Sequence, residues 1–351
     1  MIRLEFFSRN GKKYEKPYFV EKPDIRVDAL QDQQSNFDLS EPINASEGDF
    51  LWARAEPTGK SIYFGIISKV VGKKTITCNP LESLLDFEFA ATYVSGSSFE
   101  EHMKKLITYY VIQDTSKKLS NLVINIRSNT EHLYKPSDPP TATNLMKYLR
   151  NGFKKYNVVW EFKEITLDGK IITEIFAKTK SISIDDSPTD FSEWEIQIKQ
   201  PNVDSPNQLY IFDKTLKNSE TPNPRDIWYL TSSNELTKYK DNPNIQLPTA
   251  SKVFIYDNEQ ESSEAYDSEK IAKSELTGNA YNHQISFKIW KKTQLLDIES
   301  ISIGLLITFH LHNDKLDQLK SVVTGIEETG DNHLLLICGN VRNRLIDYMN
   351  D

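Results

Sequence analysis

Cysteine is scarce in this sequence of 351 residues. The two cysteines, Cys78 and Cys338, are far apart, and each lies beside a strand-like run. A small secreted domain held together by disulfides normally carries more cysteines in a regular pattern. We therefore expect two buried thiols and no disulfide framework.

Long apolar runs and a leader are also missing. A membrane-spanning helix needs about 20 mainly apolar residues, and the nearest run, 301–311, is too short. Residues 1–5 show no charged region followed by an apolar core, as a secretory signal would. We expect no membrane-spanning segment and a protein that is made in the cytoplasm.

Positive charge is in deficit. The sequence has 42 lysines and arginines against 50 aspartates and glutamates, which gives a formal net charge of −8. A general nucleic-acid binder needs a basic surface that neutralises several phosphates. The composition argues against such a binder, while a local basic lining inside an acidic protein stays open.

Familiar catalytic and phosphate-binding motifs are absent from the sequence. Gly59-Lys60-Ser61 is similar to the end of a phosphate loop, but Arg54 stands where the first glycine of the loop belongs. There is no Gly-x-Ser-x-Gly elbow and no Cys/His pairing at the spacing of a thiol enzyme.

Three groups of residues are candidate sites, each with a plainer alternative. His310 and His312 lie on one side of a strand and could bind a metal, although only Asp314 and His333 are nearby as further ligands. Carboxylates at 185–186, 259 and 261, and 327–328 fall in predicted loops or turns, where they are solvated. The third group is an aromatic set that could form a sugar-binding face but fits core positions better: Trp160, Phe162, Phe176, Trp194 and Trp228.

In each group the plainer alternative fits better, so none of the three is predicted to be a functional site. We expect no catalytic, cofactor-binding or metal-binding residues and no enzyme activity. Alanine at Glu101, Asp185 or His310 should therefore cause no catalytic defect.

The residues that are present indicate many short strands. Phe, Tyr and Trp number 17, 16 and 5, which favours bulky anchors in sheets. In the stretch 279–344, Tyr281, His283, Ile285, Phe287 and Ile289 alternate with polar residues, as in a strand with one buried face. The runs 301–311 and 334–340 are more continuously apolar, as in strands covered on both faces.

The patterns predict an α+β chain that is mainly β. Residues 1–91 form a β-barrel-like module, in which a short helical turn at 81–86 closes the barrel. Residues 92–186 form an α+β module with two helices, the first capped by Ser98 and Glu101 and the second beginning at Thr141 or Thr143.

The remaining two modules are predicted from proline spacing and strand runs. Residues 187–276 form a proline-rich β module with an acidic helix at 263–276. Residues 277–351 form a C-terminal β-barrel-like module, which strands from 187–235 could complete. Asp168-Gly169 predicts a hairpin turn in the second module.

The order of these features resembles the baseplate hub family of tailed bacteriophages and prophages, including the N-terminal part of tail-associated lysins. Six runs and Gly304 carry the resemblance: 63–67, 75–78, 81–86, 276–287, 323–327 and 338–342. The match is one of pattern over nearly the whole chain. Lysin-type hubs often continue into a fibrous region and a peptidoglycan-cleaving domain, whereas this sequence stops at Asp351. It is either the short form or a hub whose downstream region has been cut away or is encoded separately, so enzyme activity is not carried over to these residues.

The resemblance implies a structural protein of the virion tail tip. Such hubs have two barrel-like domains and two flanking α/β domains, and they form trimeric rings that continue the tail tube and gate the DNA channel. The implied partners are two further copies of the chain, the distal tail protein, the tape-measure protein and receptor-binding or fibre components. DNA would pass without specific binding. The alternatives are a cell-wall hydrolase or a carbohydrate-binding module.

Overall fold

Short strands dominate the structure, in agreement with the predicted mainly β, α+β class. The computed structural model describes residues 1–14, 16–21, 23–91, 96–130, 141–198, 206–214, 223–232, 235–256, 266–276, 281, 283–313 and 316–341. Within these ranges, no helix is both long and apolar enough to cross a bilayer.

Strands make up most of the elements in both halves of the chain. The first half contains β1 (Ile2–Phe7), β2 (Tyr18–Val20), β3 (Ile25–Asp28), β4 (Ser35–Asp38), β5 (Phe50–Ala55), β6 (Ser61–Val71), β7 (Thr75–Pro80), β8 (Glu88–Ala91), α1 (Phe99–Ile107), β9 (Leu122–Ile126), β10 (Thr141–Asn144), α2 (Leu145–Tyr156), β11 (Val158–Ile165) and β12 (Ile171–Ala177). The second half contains β13 (Ser181–Asp185), β14 (Phe191–Ile198), β15 (Gln208–Asp213), β16 (Asp226–Leu230), β17 (Leu236–Thr237), β18 (Ser251–Tyr256), α3 (Ser268–Leu276), β19 (His283–Trp290), β20 (Leu306–Asn313), β21 (Leu316–Glu328) and β22 (His333–Cys338).

The first large sheet has the strand order β2-β1-β5-β6-β7-β4. Its strands alternate, so that Leu4, Phe37, Ile76 and Cys78 turn into one core and are fully buried. The opposite face of β5 and β6 is covered as well, because Phe64 stacks on Phe162 of β11 with ring centroids 3.8 Å apart. Both faces of these central strands are therefore apolar.

The predicted helical turn after β7 is present but does not close the barrel. A 3₁₀ turn spans Leu81–Leu85. Leu81 and Leu85 are buried against α1 and α2, in a core separate from that of the first sheet. The prediction that this turn closes the barrel was wrong. The outer face of β6 is apolar, and the turn helps to bury that face.

The α+β layer packs two helices on the three-stranded sheet β11-β12-β9. Ser98 caps α1 by accepting a hydrogen bond from the backbone of Glu101, as predicted. Helix α2 begins later than predicted, at Leu145 with Asn144 as its cap. The four residues before it, Thr141–Asn144, pair with β8 as strand β10 and so cannot be helical.

The predicted hairpin at Asp168-Gly169 connects β11 to β12, and Gly169 has a φ of +83°. The four-stranded sheet β17-β16-β15-β18 lies in the predicted proline-rich region. Helix α3 covers one face of it with Ile271, Ala272 and Leu276. The predicted start of this helix, at 263–265, lies outside the described residues.

The second large sheet has the order β13-β20-β21-β22-β19-β14. The alternation predicted for β19 is confirmed, since His283, Ile285, Phe287 and Ile289 are all buried. Its predicted neighbours Asn279, Ala280 and Asn282 lie outside the described residues. Cys338 is buried in this core, as Cys78 is in the first, in agreement with the expected pair of buried thiols.

Strand β3 joins the two large sheets. On one side, its residues 25–28 pair with 325–328 of β21. On the other, the backbones of Asp24 and Asn36 exchange hydrogen bonds of 3.1 and 2.8 Å, which links β3 to β4 of the first sheet. Side chains of β3 also enter the first core, where Ile25 is 2% exposed.

Asn157 joins the α+β layer to the second large sheet. It follows α2 in the left-handed region, with a φ of 55°. Its side-chain amide donates to the backbone oxygens of Lys178 at 2.9 Å and Gly304 at 2.7 Å. One side chain thus ends a helix and holds a loop of the neighbouring sheet.

Gly152 of α2 lies directly against the ring of Phe99 of α1. A Cβ atom there would lie 2.0 Å from Cζ of Phe99, whose side chain is 2% exposed. We expect Gly152→Ala to destabilise the protein by about 1–3 kcal/mol through overpacking, although Gly→Ala in an open helix stabilises by about 0.5–1 kcal/mol. Chemical denaturation would measure both this change and the control Asn151→Ala, which is exposed on the same helix. An equal or higher stability for Gly152→Ala would contradict the packing.

Two substitutions at Asn157 separate its backbone role from its hydrogen bonds. Asn157→Gly keeps access to positive φ but loses two side-chain hydrogen bonds, at a cost of about 1–3 kcal/mol. Asn157→Ala loses both features and should cost about 1–2 kcal/mol more. Equal stabilities of the two variants in chemical denaturation would show that the left-handed conformation matters little.

Candidate functional site

The two candidate metal-binding histidines, His310 and His312, lie at exposed positions of the same strand, β20. His312 is grouped with Asp185 and Asp186, and their ligand atoms lie within 4.8 Å of one another. Among the described residues, His310 and His333 do not join this group, and Asp314 lies outside the described residues. The parallel pairing of β13 with β20 brings these carboxylates to His312 across 126 positions of sequence.

The cluster at His312 is an exposed ion pair with its own internal hydrogen bonds. Asp186 accepts from Nδ1 of His312 at 2.7 Å and from its backbone N–H at 3.1 Å. Asp185 accepts from the backbone and hydroxyl of Ser187 at 2.9 and 2.6 Å, which lowers the pKa of Asp185. The hydrogen bond that His312 donates to Asp186 and the charge of Asp185 raise the pKa of His312. Such surface pairs contribute little to stability, and this one accounts for the carboxylates at the end of β13.

The structure contains buried carboxylates that the sequence did not reveal. Glu5 is 1% exposed and forms ion pairs with Arg3, Lys13 and Arg54. Burial acts to raise the pKa of Glu5, but the hydrogen bond from Lys13 and the charge of Arg54 outweigh it, so the pKa is lowered. This carboxylate is held ionised and is not poised to exchange a proton near neutral pH.

Glu100 is also buried, but its hydrogen-bond partners are neutral groups. It accepts from the hydroxyl of Ser128 at 2.7 Å and from the hydroxyl and backbone N–H of Thr130 at 2.7 and 2.9 Å. These bonds fix the segment that follows β9 to the first turn of α1. Burial of a charge requires such compensation, so a structural role accounts for this residue.

The other motifs noted in the sequence serve structural roles. In Gly59-Lys60-Ser61, Gly59 has a φ of +70° in the turn between β5 and β6, and Ser61 accepts from the indole of Trp52 at 3.0 Å. Glu327 lies opposite Arg26 in the β3–β21 ladder, and Glu328 pairs with Lys291 at 3.0 Å. The predicted loop carboxylates Glu259 and Glu261 lie outside the described residues.

The aromatic set does not form one surface. Trp160, Trp194 and Trp228 belong to or pack against three different cores. Phe162 packs against the first sheet, and the ring of Phe176 lies under the guanidinium of Arg127 at 4.3 Å. The core interpretation of these residues therefore fits the structure, and a sugar platform would need other rings.

A cleft of about 770 Å³ separates α2 and α3 from the second large sheet. Lysines line it: Lys154, Lys155, Lys178, Lys270, Lys273 and Lys320. Carboxylates already bind several of them, since Lys155 pairs with Glu275 at 3.3 Å and Lys178 with Glu161 at 2.5 Å. These ion pairs make the cleft a charged joint between modules.

One face of the four-stranded sheet is apolar and open. Helix α3 covers the other face, whereas Val253 and Ile255 of β18 are each 56% exposed. Tyr210 and Phe212 lie beside them in the β15–β18 register. A contiguous exposed apolar face of this kind is typical of contact with another protein.

Comparison with known proteins supports a fold. No protein-family model and no curated protein matches the chain. Among solved structures, a prophage tail protein, gp18 from Listeria monocytogenes, is similar with a TM-score of 0.50 and 8% identity, over 99% of this chain and 97% of that one.

The chain has a phage-tail-protein fold.

Two further structures are similar with lower scores. A chain of the phage P2 baseplate has a TM-score of 0.47 and 10% identity over 98% and 100% of the two chains. A 43 kDa tail protein of prophage MuSo2 from Shewanella oneidensis has a TM-score of 0.46 and 11% identity over 97% and 98%. At such low identities, the similarity to these structures concerns the fold alone. The assignment of the phage-tail-protein fold is based on the Listeria protein.

Within the phage-tail-protein fold, His283 is a buried titratable group. It is 3% exposed, and its Nε2 lies 2.8 Å from the hydroxyl of Ser321 on β21. Burial lowers the pKa of His283 to about 4, from an ordinary value of 6.5. The neutral imidazole is thus part of the packing between β19 and β21.

The two histidines should give pH dependences of opposite sign. Because the pKa of His283 is lowered on folding, its contribution to stability is present above about pH 6.5 and lost as the pH falls towards 4. Wild type should therefore lose about 3 kcal/mol more than His283→Gln over that interval. Denaturant titrations across this range would measure the difference.

His312→Gln is the matched control. The pKa of His312 is raised, so its stabilisation is present at low pH and lost as the pH rises through the folded pKa. Parallel stability curves for wild type and His283→Gln would show that His283 is not buried as a neutral ring. His283→Asn would check that the effect belongs to the imidazole.

Proposed function

We propose that this protein is a structural component of a phage or prophage tail tip: a baseplate hub ring that continues the tail tube and closes or gates the DNA channel. The fold likeness to the Listeria prophage tail protein, which spans nearly all of both chains, carries this proposal. The proposed location is the virion tail tip, after assembly in the host cytoplasm.

The pair of large sheets supports a ring. Each is a curled sheet around its own core, and β3 fixes one beside the other. Three copies of such a chain would present six curled sheets around an axis, which suits a tail tube with sixfold symmetry. The homotrimer is therefore the proposed oligomer, as in the hubs that the sequence resembles.

The proposed partners follow from that position. The ring would contact the distal tail protein and the tape-measure protein, and receptor-binding or fibre components at its lower side. The open apolar face that includes Val253 and Ile255 offers surface for such contacts. DNA would cross the ring transiently, since the chain carries a net charge of −8 and repels phosphates.

The buried polar and aromatic residues favour this role over a cell-wall hydrolase or a carbohydrate-binding module. The buried carboxylates Glu5 and Glu100 are held by cations or by hydroxyl and backbone donors. The tryptophans lie in separate cores. We therefore propose that this chain corresponds to the hub portion of a tail-associated lysin and lacks the cleavage activity of such a lysin.

Imaging of labelled particles tests the proposal. A tag on the exposed β11–β12 turn at Leu167 should place the protein at the tail tip, in a ring of three copies. Particles made without this protein should lack a closed tip. A label along the tail, on the head or nowhere on the particle would refute the hub assignment.

A hydrolase assay provides the second arm. The purified protein should release no fragments from peptidoglycan, and Asp185→Ala and His310→Ala should match wild type. Cleavage that disappears in either variant would establish an enzyme and displace the proposed structural role.

A further inference from the structure

One face of the joined sheets is continuous across both. We define the joint face as the side chains of β7, β4, β3, residues 325–328 of β21, β22, β19 and β14 that point away from the two large cores. The earlier part of β21, with Lys320 and Val322, faces the cleft beside α2 and lies outside the joint face. Directly paired residues of antiparallel strands point to the same side. The register therefore sets Thr77 beside Asn36, and Arg26 beside Glu327.

The same register continues to the far edge of the second sheet. Glu327 lies beside Leu335, Leu335 beside Lys288, and Ser286 beside Glu195. The residues between them, such as Ile76, Phe37 and Leu336, turn into the cores and are fully buried. A single surface thus runs from the first sheet through β3 to β14.

Hydrogen bonds between neutral or acidic side chains cover the first-sheet part of the joint face. Thr77 donates to Asn36 at 3.0 Å, and Thr75 donates to Asp38 at 2.8 Å. The amide of Gln34 donates to Asn79 at 2.9 Å. On the second sheet, Leu335 and Ile337 are apolar but half-buried, so the surface is mainly polar.

Acidic residues outnumber basic ones on the joint face. Its carboxylates are Asp24, Asp28, Asp38, Glu193, Glu195 and Glu327, and its cations are Arg26 and Lys288, with Lys69 of β6 at the border. Both cations are held by neighbours, because Arg26 pairs with Asp24 at 2.8 Å and Lys288 with Glu193 at 2.8 Å. The charge that remains is negative.

We propose that the joint face lines the channel through which DNA passes. DNA binds proteins chiefly where lysines and arginines displace its counterions, and a conduit must avoid such contacts. A wettable, acidic wall with its cations already paired repels the phosphates and holds none of them. The inference rests on the proposed function, and it assigns one face of the fold to the lumen.

Thiol labelling of assembled particles tests the assignment. The natural thiols Cys78 and Cys338 are 0% exposed, so an introduced cysteine is the reporter. Thr75→Cys and Glu195→Cys place one on each sheet of the joint face, at exposed positions. Leu167→Cys, at a fully exposed position of the β11–β12 turn, is the control.

Two reagents distinguish a lumen from a buried contact. In the isolated protein, all three cysteines should react with both a small maleimide and a bulky polymer maleimide. In tail particles, Thr75→Cys and Glu195→Cys should lose reaction with the polymer and keep it with the small reagent. Leu167→Cys should react with both.

The outcomes separate this inference from the proposed function. If Thr75→Cys and Glu195→Cys lose reaction with both reagents, the joint face lies in a subunit contact. If they keep reaction with both, it lies outside the tube. Either result overturns the inference while leaving the hub intact. Absence of the protein from the particles would instead refute the hub itself.

Discussion

The arrangement of the two large sheets depends on the backbone hydrogen bonds of one four-residue strand, β3. A buried backbone N–H or C=O that lacks a partner is costly, so β3 is stable only while β21 and β4 are both in place. Ser35 strengthens the joint, since its hydroxyl accepts from the backbone N–H of Arg26 at 3.0 Å. The two sheets therefore cannot separate without breaking either the β3–β21 ladder or the bridge between Asp24 and Asn36.

Apolar packing then fixes the remaining layers around that joint. The rings of Phe64 and Phe162 stack between the first sheet and the α+β layer. A smaller cluster that includes Phe153 and Val322 connects α2 to the second sheet, and residues just after β3 pack against it. Because each layer covers a face of its neighbour, the modules form one connected framework, which suits a protein that works by holding other proteins in place.

Local patterns in the sequence were enough to find most of the elements. The alternation in β19, the capping serine of α1 and the glycine turn between β11 and β12 all depend on residues close in sequence. The start of α2 was misplaced because Thr141–Asn144 pairs with β8, and strand pairing overrides local helix signals. The turn at Leu81–Leu85 was found, but its packing partner was not.

The sequence by itself determined the strand-rich class, the buried thiols and the lack of familiar catalytic motifs, because these follow from composition and short-range spacing. Only the tertiary structure decided that β3 belongs to two sheets, that His312 meets Asp186, and that Glu5 is buried among cations. Those contacts join residues far apart in the chain. Their partners are chosen by the packing of whole layers, which no local pattern contains.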